Sequence, residues 1–198
     1  SSKGRMPLED VSKRFSIVFN GEIYNFNELK RDFNIKTISK TDTEVLLELY
    51  KLKGTNCLNY LNGMFSFVIY DFKKNILFCA RDRLGIKPFY YYYDEKNFIF
   101  SSEIKPITQY LNSTFVDEDY LSDYLNTGLY DCDKRTFFKN INQLEPGHYI
   151  LKSDAGFKKI RYWDLNEENS NLSLKKLSFE DAKFYFSNIV KNSFKLQI

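Results

Sequence analysis

The pattern of apolar and polar residues near the start of the chain predicts a strand, a turn and a helix. Arg14–Phe19 (RFSIVF) has apolar residues at alternate positions, which predicts a strand with one apolar face. The polar tripeptide Asn20-Gly21-Glu22 follows, and an Asn-Gly pair is typical of a turn. Apolar residues at helical spacing then predict a helix over Asn25–Phe33.

A capping-box sequence predicts the start of the next helix. Thr41 supplies a hydroxyl at the N-cap, and Glu44 supplies a carboxylate three residues later. An apolar stripe follows, and Gly54 is typical of a helix end. Asp42 falls in the first helical turn, where a carboxylate interacts favourably with the helix dipole. The alternative is that Asp42 binds the ammonium group of a ligand.

Two hairpins are predicted in the middle of the chain. Met64–Asp71 and Ile76–Arg81 are nearly apolar throughout, so both faces of these strands should be buried. Phe89–Tyr93 and Phe98–Ser101 form the second hairpin. A sheet packed on another sheet, with helices outside, would bury strands in this way.

The last third of the chain predicts shorter elements and a change of composition. Short helices are expected over Glu103–Tyr110 and Glu118–Asn126, and paired strands over His148–Lys152 and Lys159–Trp163. We divide the chain into a domain over residues 1–164, a polar linker over residues 165–177, and a helix within residues 178–198 that Ser178 caps. That helix is expected to be the first one of a further domain.

Composition and charge exclude several classes of function. The 198 residues are 43% hydrophobic and 18% aromatic, which suits one domain with a substantial core. The net charge is +3 with both signs interspersed, so no nucleic-acid or membrane-surface partner is expected. No apolar run approaches the roughly 20 residues that span a bilayer.

The cysteines and the single histidine indicate neither a metal site nor a catalytic triad. Cys57, Cys79 and Cys132 are scattered and odd in number, so no disulfide framework or zinc site is expected, and a cytoplasmic location follows. Cys79 lies in an apolar strand and should be an inert core thiol. His148 lies where a turn enters a strand and should be structural.

The tripeptide Asn20-Gly21-Glu22 is the strongest candidate for chemistry. It puts a side-chain amide, an approachable glycine N–H and a carboxylate at one strand tip. These groups could bind a small polar ligand and stabilise an oxyanion. The alternative is that Asn-Gly is only a turn.

Five segments together resemble class II glutamine amidotransferase domains, and by order and spacing those of glutamine-hydrolysing asparagine synthetases. The segments are VFNGEIYN (Val18–Asn25), TDTEVLL (Thr41–Leu47), LNGMFSFVIYD (Leu61–Asp71), ARDRLGIKPFYY (Ala80–Tyr91) and FSSEIKPI (Phe100–Ile107). The resemblance implies an α+β fold of the N-terminal-nucleophile hydrolase type. That fold is an αββα sandwich of two antiparallel sheets, here incomplete at the N-terminus.

The resemblance also implies a chemical role for each candidate residue. In this family an amino-terminal cysteine thiolate attacks the glutamine carboxamide, and its own α-amino group is the base. The Asn20 side chain and the Gly21 N–H would form the oxyanion hole. Glu22 and Asp42 would bind glutamine, Asp42 through the ligand's α-amino group, so the resemblance favours the ligand role of Asp42.

Further charged residues match the family and are expected to form a salt-bridged scaffold around Gly85. These are Arg81, Asp82, Arg83, Lys87 and Glu103.

The chain departs from the family pattern at its start. It begins Ser1-Ser2-Lys3, whereas the family's mature chain begins further upstream of the segment that matches Asn20, with a nucleophilic cysteine followed by glycine. We therefore expect an N-terminally truncated domain that lacks glutaminase activity by itself. No cofactor is expected in this domain, whereas ATP and Mg are expected in the missing synthetase domain. The expected partners are glutamine, that synthetase domain and a second copy of the chain covering exposed apolar surface.

Three functions stay open at this point. In the first hypothesis, the parent protein supplies ammonia from glutamine for the ATP-dependent amidation of aspartate. Alternatively, the acceptor is another molecule, such as a sugar acid in polysaccharide synthesis. In the third hypothesis, the chain is a degenerate, non-catalytic interaction domain.

Overall fold

The computed structural model describes residues 6–168 and 177–197 of the chain. The chain divides into two compact units. One comprises the described residues up to Glu22 together with Met64–Tyr162, and the other comprises Ile23–Gly63 together with the described residues from Trp163 onward.

Nine strands and six α-helices are described. The strands are β1 (Leu8–Glu9), β2 (Phe15–Ile23), β3 (Gly63–Asp71), β4 (Ile76–Arg81), β5 (Tyr90–Tyr93), β6 (Phe98–Ser101), β7 (Ile141–Gln143), β8 (His148–Ser153) and β9 (Gly156–Arg161). The helices are α1 (Phe26–Asp32), α2 (Asp42–Lys53), α3 (Ile104–Leu111), α4 (Glu118–Thr127), α5 (Leu165–Glu168) and α6 (Phe179–Gln197), and a 3₁₀ helix covers Gly54–Tyr60.

The strands form two sheets, as the sequence predicts. The larger has the order β1-β2-β3-β4-β8-β9, and the smaller has the order β6-β5-β7. β3 pairs antiparallel with β4, and β5 pairs antiparallel with β6, so both predicted hairpins are confirmed. The α+β class of two antiparallel sheets with helices is confirmed as well.

Residues from both sheets contribute to a hydrophobic core cluster. Val68, Cys79 and Ile150 from the larger sheet are buried together with Phe89 and Tyr91. An aromatic cluster extends this core, because the ring of Phe157 in β9 stacks on Tyr93 in β5 at a centroid distance of 4.8 Å. Apolar residues on the facing sides of β3, β4 and β5 thus hold the two sheets together.

At the predicted start of α2, the Thr41 N-cap is confirmed, whereas the predicted capping box with Glu44 is wrong. The Thr41 side chain accepts a hydrogen bond from the Glu44 N–H at 3.4 Å, as an N-cap should. The Glu44 carboxylate does not complete a reciprocal capping box. It accepts instead from the backbone N–H groups of Ile38 and Ser39, at 2.8 and 2.6 Å. The loop before the helix therefore folds back onto this carboxylate.

The predicted turn at Asn20-Gly21-Glu22 is wrong. These residues continue β2 as far as Ile23. Gly21 has φ of +151°, a backbone conformation that side-chain-bearing residues rarely adopt. This freedom keeps the chain extended where an Asn-Gly pair would otherwise turn.

The strand predicted over Lys159–Trp163 is shifted in the structure. β9 covers Gly156–Arg161, and Tyr149 lies opposite Ile160. The pairing of Ser153 with Gly156 closes a two-residue loop, so the strand starts earlier than its composition suggests.

The predicted linker over residues 165–177 lies partly outside the described residues. Its first residues, Leu165–Glu168, form α5, and residues 169–176 are not described. The Ser178 cap is confirmed, because its Oγ accepts from the Asp181 N–H at 3.2 Å. Over the described ranges, every helix is too short or too polar to cross a bilayer.

Candidate active site

Asn20 lies on β2 at the wall of a cavity of about 250 Å³. The cavity is lined by Val18, Phe19, Asn20, Ser66, Phe67, Val68, Phe89, Phe100, Ser101 and Ser102. The Asn20 Nδ2 group donates a hydrogen bond to Ser102 Oγ at 3.1 Å. Most of the wall is apolar, so the amide of Asn20 is one of few polar groups that a molecule in the cavity would meet.

Gly21 lies directly against the backbone of the neighbouring strand. A Cβ built on Gly21 would be 2.1 Å from the carbonyl oxygen of Met64 and 2.7 Å from the Cα of Phe65. Both atoms belong to β3, which cannot move without disturbing the sheet. The close approach and the positive φ both require glycine at this position.

Glu22 is the second-last residue of β2, and Asp42 contacts the last one. Glu22 is exposed. The Asp42 Oδ2 atom accepts a hydrogen bond at 3.0 Å from the N–H of Ile23, the residue that follows Glu22. Its Oδ1 atom accepts at 2.8 Å from the N–H of Thr43. The Oδ2 atom can accept a further hydrogen bond, so the helix-start position leaves Asp42 able to bind an ammonium group.

Asn25, the second asparagine of the segment, has a structural role. Its Nδ2 group donates to the carbonyl oxygen of Tyr60 at 2.9 Å, and its Oδ1 atom accepts from the Asn62 N–H at 3.0 Å. The side chain therefore joins the start of α1 to the end of the 3₁₀ helix.

Of the five residues expected to form a salt-bridged scaffold around Gly85, the side chains of Arg81 and Asp82 hold this loop, and they do so by hydrogen bonds to backbone groups. The Asp82 side chain is buried and accepts hydrogen bonds from the N–H groups of Phe65, Leu84, Ile86 and Lys87 at 3.0–3.2 Å. A tight loop exposes several backbone donors inside the fold, and a single carboxylate satisfies them. Because Phe65 is one of these donors, Asp82 also fixes the part of β3 that Gly21 contacts.

Arg81 uses its charge in the same way. Its guanidinium donates to the carbonyl oxygens of Lys87, Gly85 and Leu144 at 2.6–2.9 Å, and to Gln143 Oε1 at 3.2 Å. Burial lowers the pKa of Arg81, and the nearby Asp82 carboxylate opposes this shift. Both charges are thus satisfied mainly by backbone groups of the loop.

Two of the three thiols are unsuited to nucleophilic chemistry. Cys57 and Cys79 are fully buried. Burial raises the pKa of Cys57 to about 12 and raises the pKa of Cys79 as well. Cys132 is exposed. His148 Nδ1 lies 2.8 Å from the Pro146 carbonyl oxygen, a contact within the turn that precedes β8.

Ser102 is the residue of this site that the sequence did not single out. The only available signal was its place in the segment FSSEIKPI, whose two serines look equivalent. The structure distinguishes them, because Ser102 contacts Asn20 while Ser101 Oγ accepts from the Glu103 N–H. In the described ranges, no three His, Cys, Asp or Glu side chains are grouped so that they could hold a metal ion.

Comparisons with known proteins agree on one family. Residues 1–163 match the family described as "Glutamine amidotransferase domain". The chain is 40% identical over 179 residues to a Methanocaldococcus jannaschii protein described as a glutamine-hydrolysing asparagine synthetase, covering 87% of this chain and 34% of that protein. It is 37% identical over 171 residues to asparagine synthetase [glutamine-hydrolyzing] 3 of Bacillus subtilis, covering 83% and 28%.

A solved structure shows the same fold. The glutamine phosphoribosylpyrophosphate amidotransferase of Bacillus subtilis matches with a TM-score of 0.57 and 20% identity, covering 82% of this chain and 33% of that chain. The chain thus spans about a third of the length of each of these three proteins.

Proposed function

The chain belongs to the glutamine amidotransferase domain family, and we propose that its parent protein is a glutamine-hydrolysing asparagine synthetase. The observation that carries this proposal is the match of residues 1–163 to the family, together with 40% and 37% identity to relatives with that name. In this proposal the domain releases ammonia from glutamine, and the rest of the parent uses it to amidate aspartate.

Asn20 and Gly21 form the oxyanion hole in this proposal. When a nucleophile attacks the glutamine carboxamide, the carbonyl oxygen becomes negatively charged and needs fixed hydrogen-bond donors. Asn20 lines a mainly apolar cavity, where such a hydrogen bond is stronger than in water. The contact of Gly21 with β3 supports the proposal, since it holds the adjacent backbone rigidly.

Glu22 and Asp42 bind the amino-acid end of glutamine in this proposal. The Asp42 carboxylate is held at its position by the N–H groups of Ile23 and Thr43. A carboxylate fixed in this way attracts an ammonium group without losing side-chain freedom on binding. This supports its assignment to the α-amino group of the substrate.

The nucleophile in this proposal is an amino-terminal cysteine of the parent protein. The α-amino group of this cysteine takes the thiol proton, and the thiolate forms a bond to the carboxamide carbon. The C–N bond then breaks as the same proton passes to the leaving nitrogen, so that ammonia is released. Water then hydrolyses the thioester to glutamate and restores the thiol. Cys57 and Cys79 cannot replace this thiolate, because both are buried and their pKa values are raised.

The remaining parts of the proposal concern the parent protein. In this proposal, the part of the parent that lies outside these 198 residues would hold ATP and Mg, which would supply the activation of the aspartate carboxylate. α6 is the first helix of that part, since none of its described side chains is buried. The three free cysteines fit a reducing, cytoplasmic setting.

Isotope transfer in the complete parent protein tests the proposal. The protein is incubated with aspartate, ATP, Mg and glutamine labelled with ¹⁵N at the amide, and the products are identified by mass spectrometry. We expect glutamate and asparagine carrying the label in its side-chain amide. Release of glutamate without labelled asparagine would overturn the aspartate assignment, and no release of glutamate would overturn the glutaminase.

A further inference from the structure

The hydrogen bond between Asn20 and Ser102 joins the two sheets at the edge of the cavity. Asn20 lies on β2 of the larger sheet, and Ser102 directly follows β6 of the smaller one. The donor Nδ2 and the acceptor Oγ are 3.1 Å apart, a normal hydrogen-bond length. Both residues also line the cavity, so the bond lies next to the space that a ligand would occupy.

The direction of this amide decides whether Asn20 can stabilise an oxyanion. A carboxamide presents two N–H donors on one side and an acceptor oxygen on the other. Rotation of the amide by half a turn would exchange Nδ2 and Oδ1. The oxyanion would then face the partial negative charge of Oδ1 and not an N–H donor. Val18, Phe67 and Phe100 line the cavity with apolar side chains, and the hydrogen bond that the described structure shows for the Asn20 side chain is the one to Ser102.

We propose that Ser102 is a positioning residue of the glutamine site, which orients the Asn20 carboxamide through the Nδ2–Oγ hydrogen bond. Ser102 accepts one N–H of Nδ2 and leaves the second N–H of the same nitrogen for the oxyanion. This role rests on the proposed function of Asn20 as an oxyanion donor. Ser102 acts only through Asn20 and does not touch the reacting atoms.

Loss of the hydroxyl should therefore lower the turnover number and leave substrate binding nearly unchanged. In the complete parent protein, we expect Ser102→Ala to reduce kcat for glutamate release by about 10-fold, the effect of losing one orienting hydrogen bond. The KM for glutamine should change by less than about 2-fold, because the amide is needed mainly in the transition state. Ser102→Thr keeps the hydroxyl and should restore most of kcat.

Ser101→Ala is the matched control. It removes a hydroxyl from the same cavity wall, but that hydroxyl contacts the Glu103 N–H and not Asn20. We expect this variant to keep kcat within about 2-fold of the parent protein, since no orienting bond to Asn20 is lost. An equal loss in Ser101→Ala and Ser102→Ala would show a general effect on the cavity and overturn the proposal.

A double-mutant cycle separates orientation from structure. If Ser102 acts through Asn20, Ser102→Ala should have no further effect on kcat in the Asn20→Ala background. Equal losses in both backgrounds, or a normal kcat in Ser102→Ala, would overturn the positioning role. A normal kcat in Asn20→Ala alone would overturn both this role and the oxyanion assignment, so the two failures are distinguishable.

If Ser102→Ala does not fold, Ser102→Cys takes its place with the same expected loss, because a thiol is a weak acceptor of similar size.

Discussion

At the scale of single residues, Gly21 carries the clearest steric constraint of the candidate site. An added Cβ would lie 2.1 Å from the Met64 carbonyl oxygen, at a φ of +151°. Gly21→Ala should therefore lower the free energy of unfolding by about 4 kcal/mol, through backbone strain and displacement of β3. Urea unfolding followed by circular dichroism measures this change.

Gly156→Ala is the matched control for Gly21→Ala. Gly156 also has a positive φ, of +128°, but nothing lies within 4 Å of its added Cβ. This variant should lower the free energy of unfolding only through backbone strain, by about 1–2 kcal/mol. Equal losses in the two variants would mean that the approach of Gly21 to β3 does not constrain this position.

The sequence pattern points to candidate residues but does not give their conformation. Asn20, Gly21, Glu22 and Asp42 were all singled out, but an Asn-Gly pair was expected to turn. Local patterns describe only neighbours in the chain, whereas the extended conformation of Gly21 depends on Met64, far along the sequence. Ser102 was missed for the same reason, since its contact with Asn20 exists only after both sheets have formed.

At the scale of elements, Asp71 makes the β3–β4 hairpin sensitive to acid. Its carboxylate pairs with Arg14 at 2.8 Å and accepts from the N–H groups of Lys73 and Lys74 at 3.0 and 3.1 Å. The hydrogen bond from Arg14 lowers the pKa of Asp71 from its ordinary value of 3.8. Because the folded-state pKa is depressed, the stabilisation is complete above the unfolded-state pKa and is lost as the pH falls through the folded-state value.

Asp71→Asn should therefore be less stable than the unchanged chain at neutral pH but not at low pH. We expect a difference of about 2 kcal/mol in the free energy of unfolding at pH 7, from the loss of charged hydrogen bonds. The difference should shrink below about pH 4, where both chains carry a neutral side chain. Urea unfolding at a series of pH values checks this, and a difference that stays constant down to low pH would contradict it.

α6 is the element whose apolar residues the described structure leaves most exposed. The side chain of Phe186 is 68% exposed. If α6 packs on the rest of the parent protein, Phe186→Ala should cost about 3 kcal/mol there, by loss of buried apolar volume. In the 198-residue chain it should change the free energy of unfolding by less than about 0.5 kcal/mol.

Calorimetry of both proteins measures this contrast, with Lys191→Ala on the same helix as the control. Lys191 is exposed and polar, so its replacement should have little effect in either protein. A small effect of Phe186→Ala in the complete parent as well would show that α6 does not pack on it through this residue.

Elements with strong apolar periodicity were predictable, and weak ones were not. The two hairpins and helices α1 to α4 follow from their patterns of apolar residues. β7 covers only Ile141–Gln143 and contains two polar residues, so its pairing with β5 carries no local signal. β9 was shifted because the two-residue loop before it depends on Gly156, whose freedom of conformation a composition pattern does not show.

At the scale of the whole molecule, the core protects two of the three thiols. Cys57 and Cys79 are buried, and Cys132 is exposed. Titration with a disulfide reagent should therefore modify one thiol rapidly in the native chain and all three after unfolding. Cys132→Ser should abolish the rapid phase. Rapid modification of a second thiol in the native state would contradict the packing of the core.

The fold of the whole molecule was predictable because five separate segments resemble one family in the same order. Nearly apolar strands independently indicated two stacked sheets.

The scaffold around Gly85 was not predictable in its chemistry, since a sequence of charged residues suggests ion pairs. The structure instead uses Asp82 and Arg81 to satisfy backbone groups of the loop. Which backbone groups need partners is decided only by the folded loop.

We propose that the Asn20 amide stabilises the oxyanion formed during glutamine hydrolysis. The steady-state release of glutamate by the complete parent protein and by its Asn20→Ala variant tests this role. Asparagine formation from free ammonia serves as the control for an intact synthetase part and should be unchanged. We expect kcat for glutamate release to fall by about 100-fold or more in Asn20→Ala, because one oxyanion donor is lost. A folded variant with unchanged turnover would contradict it.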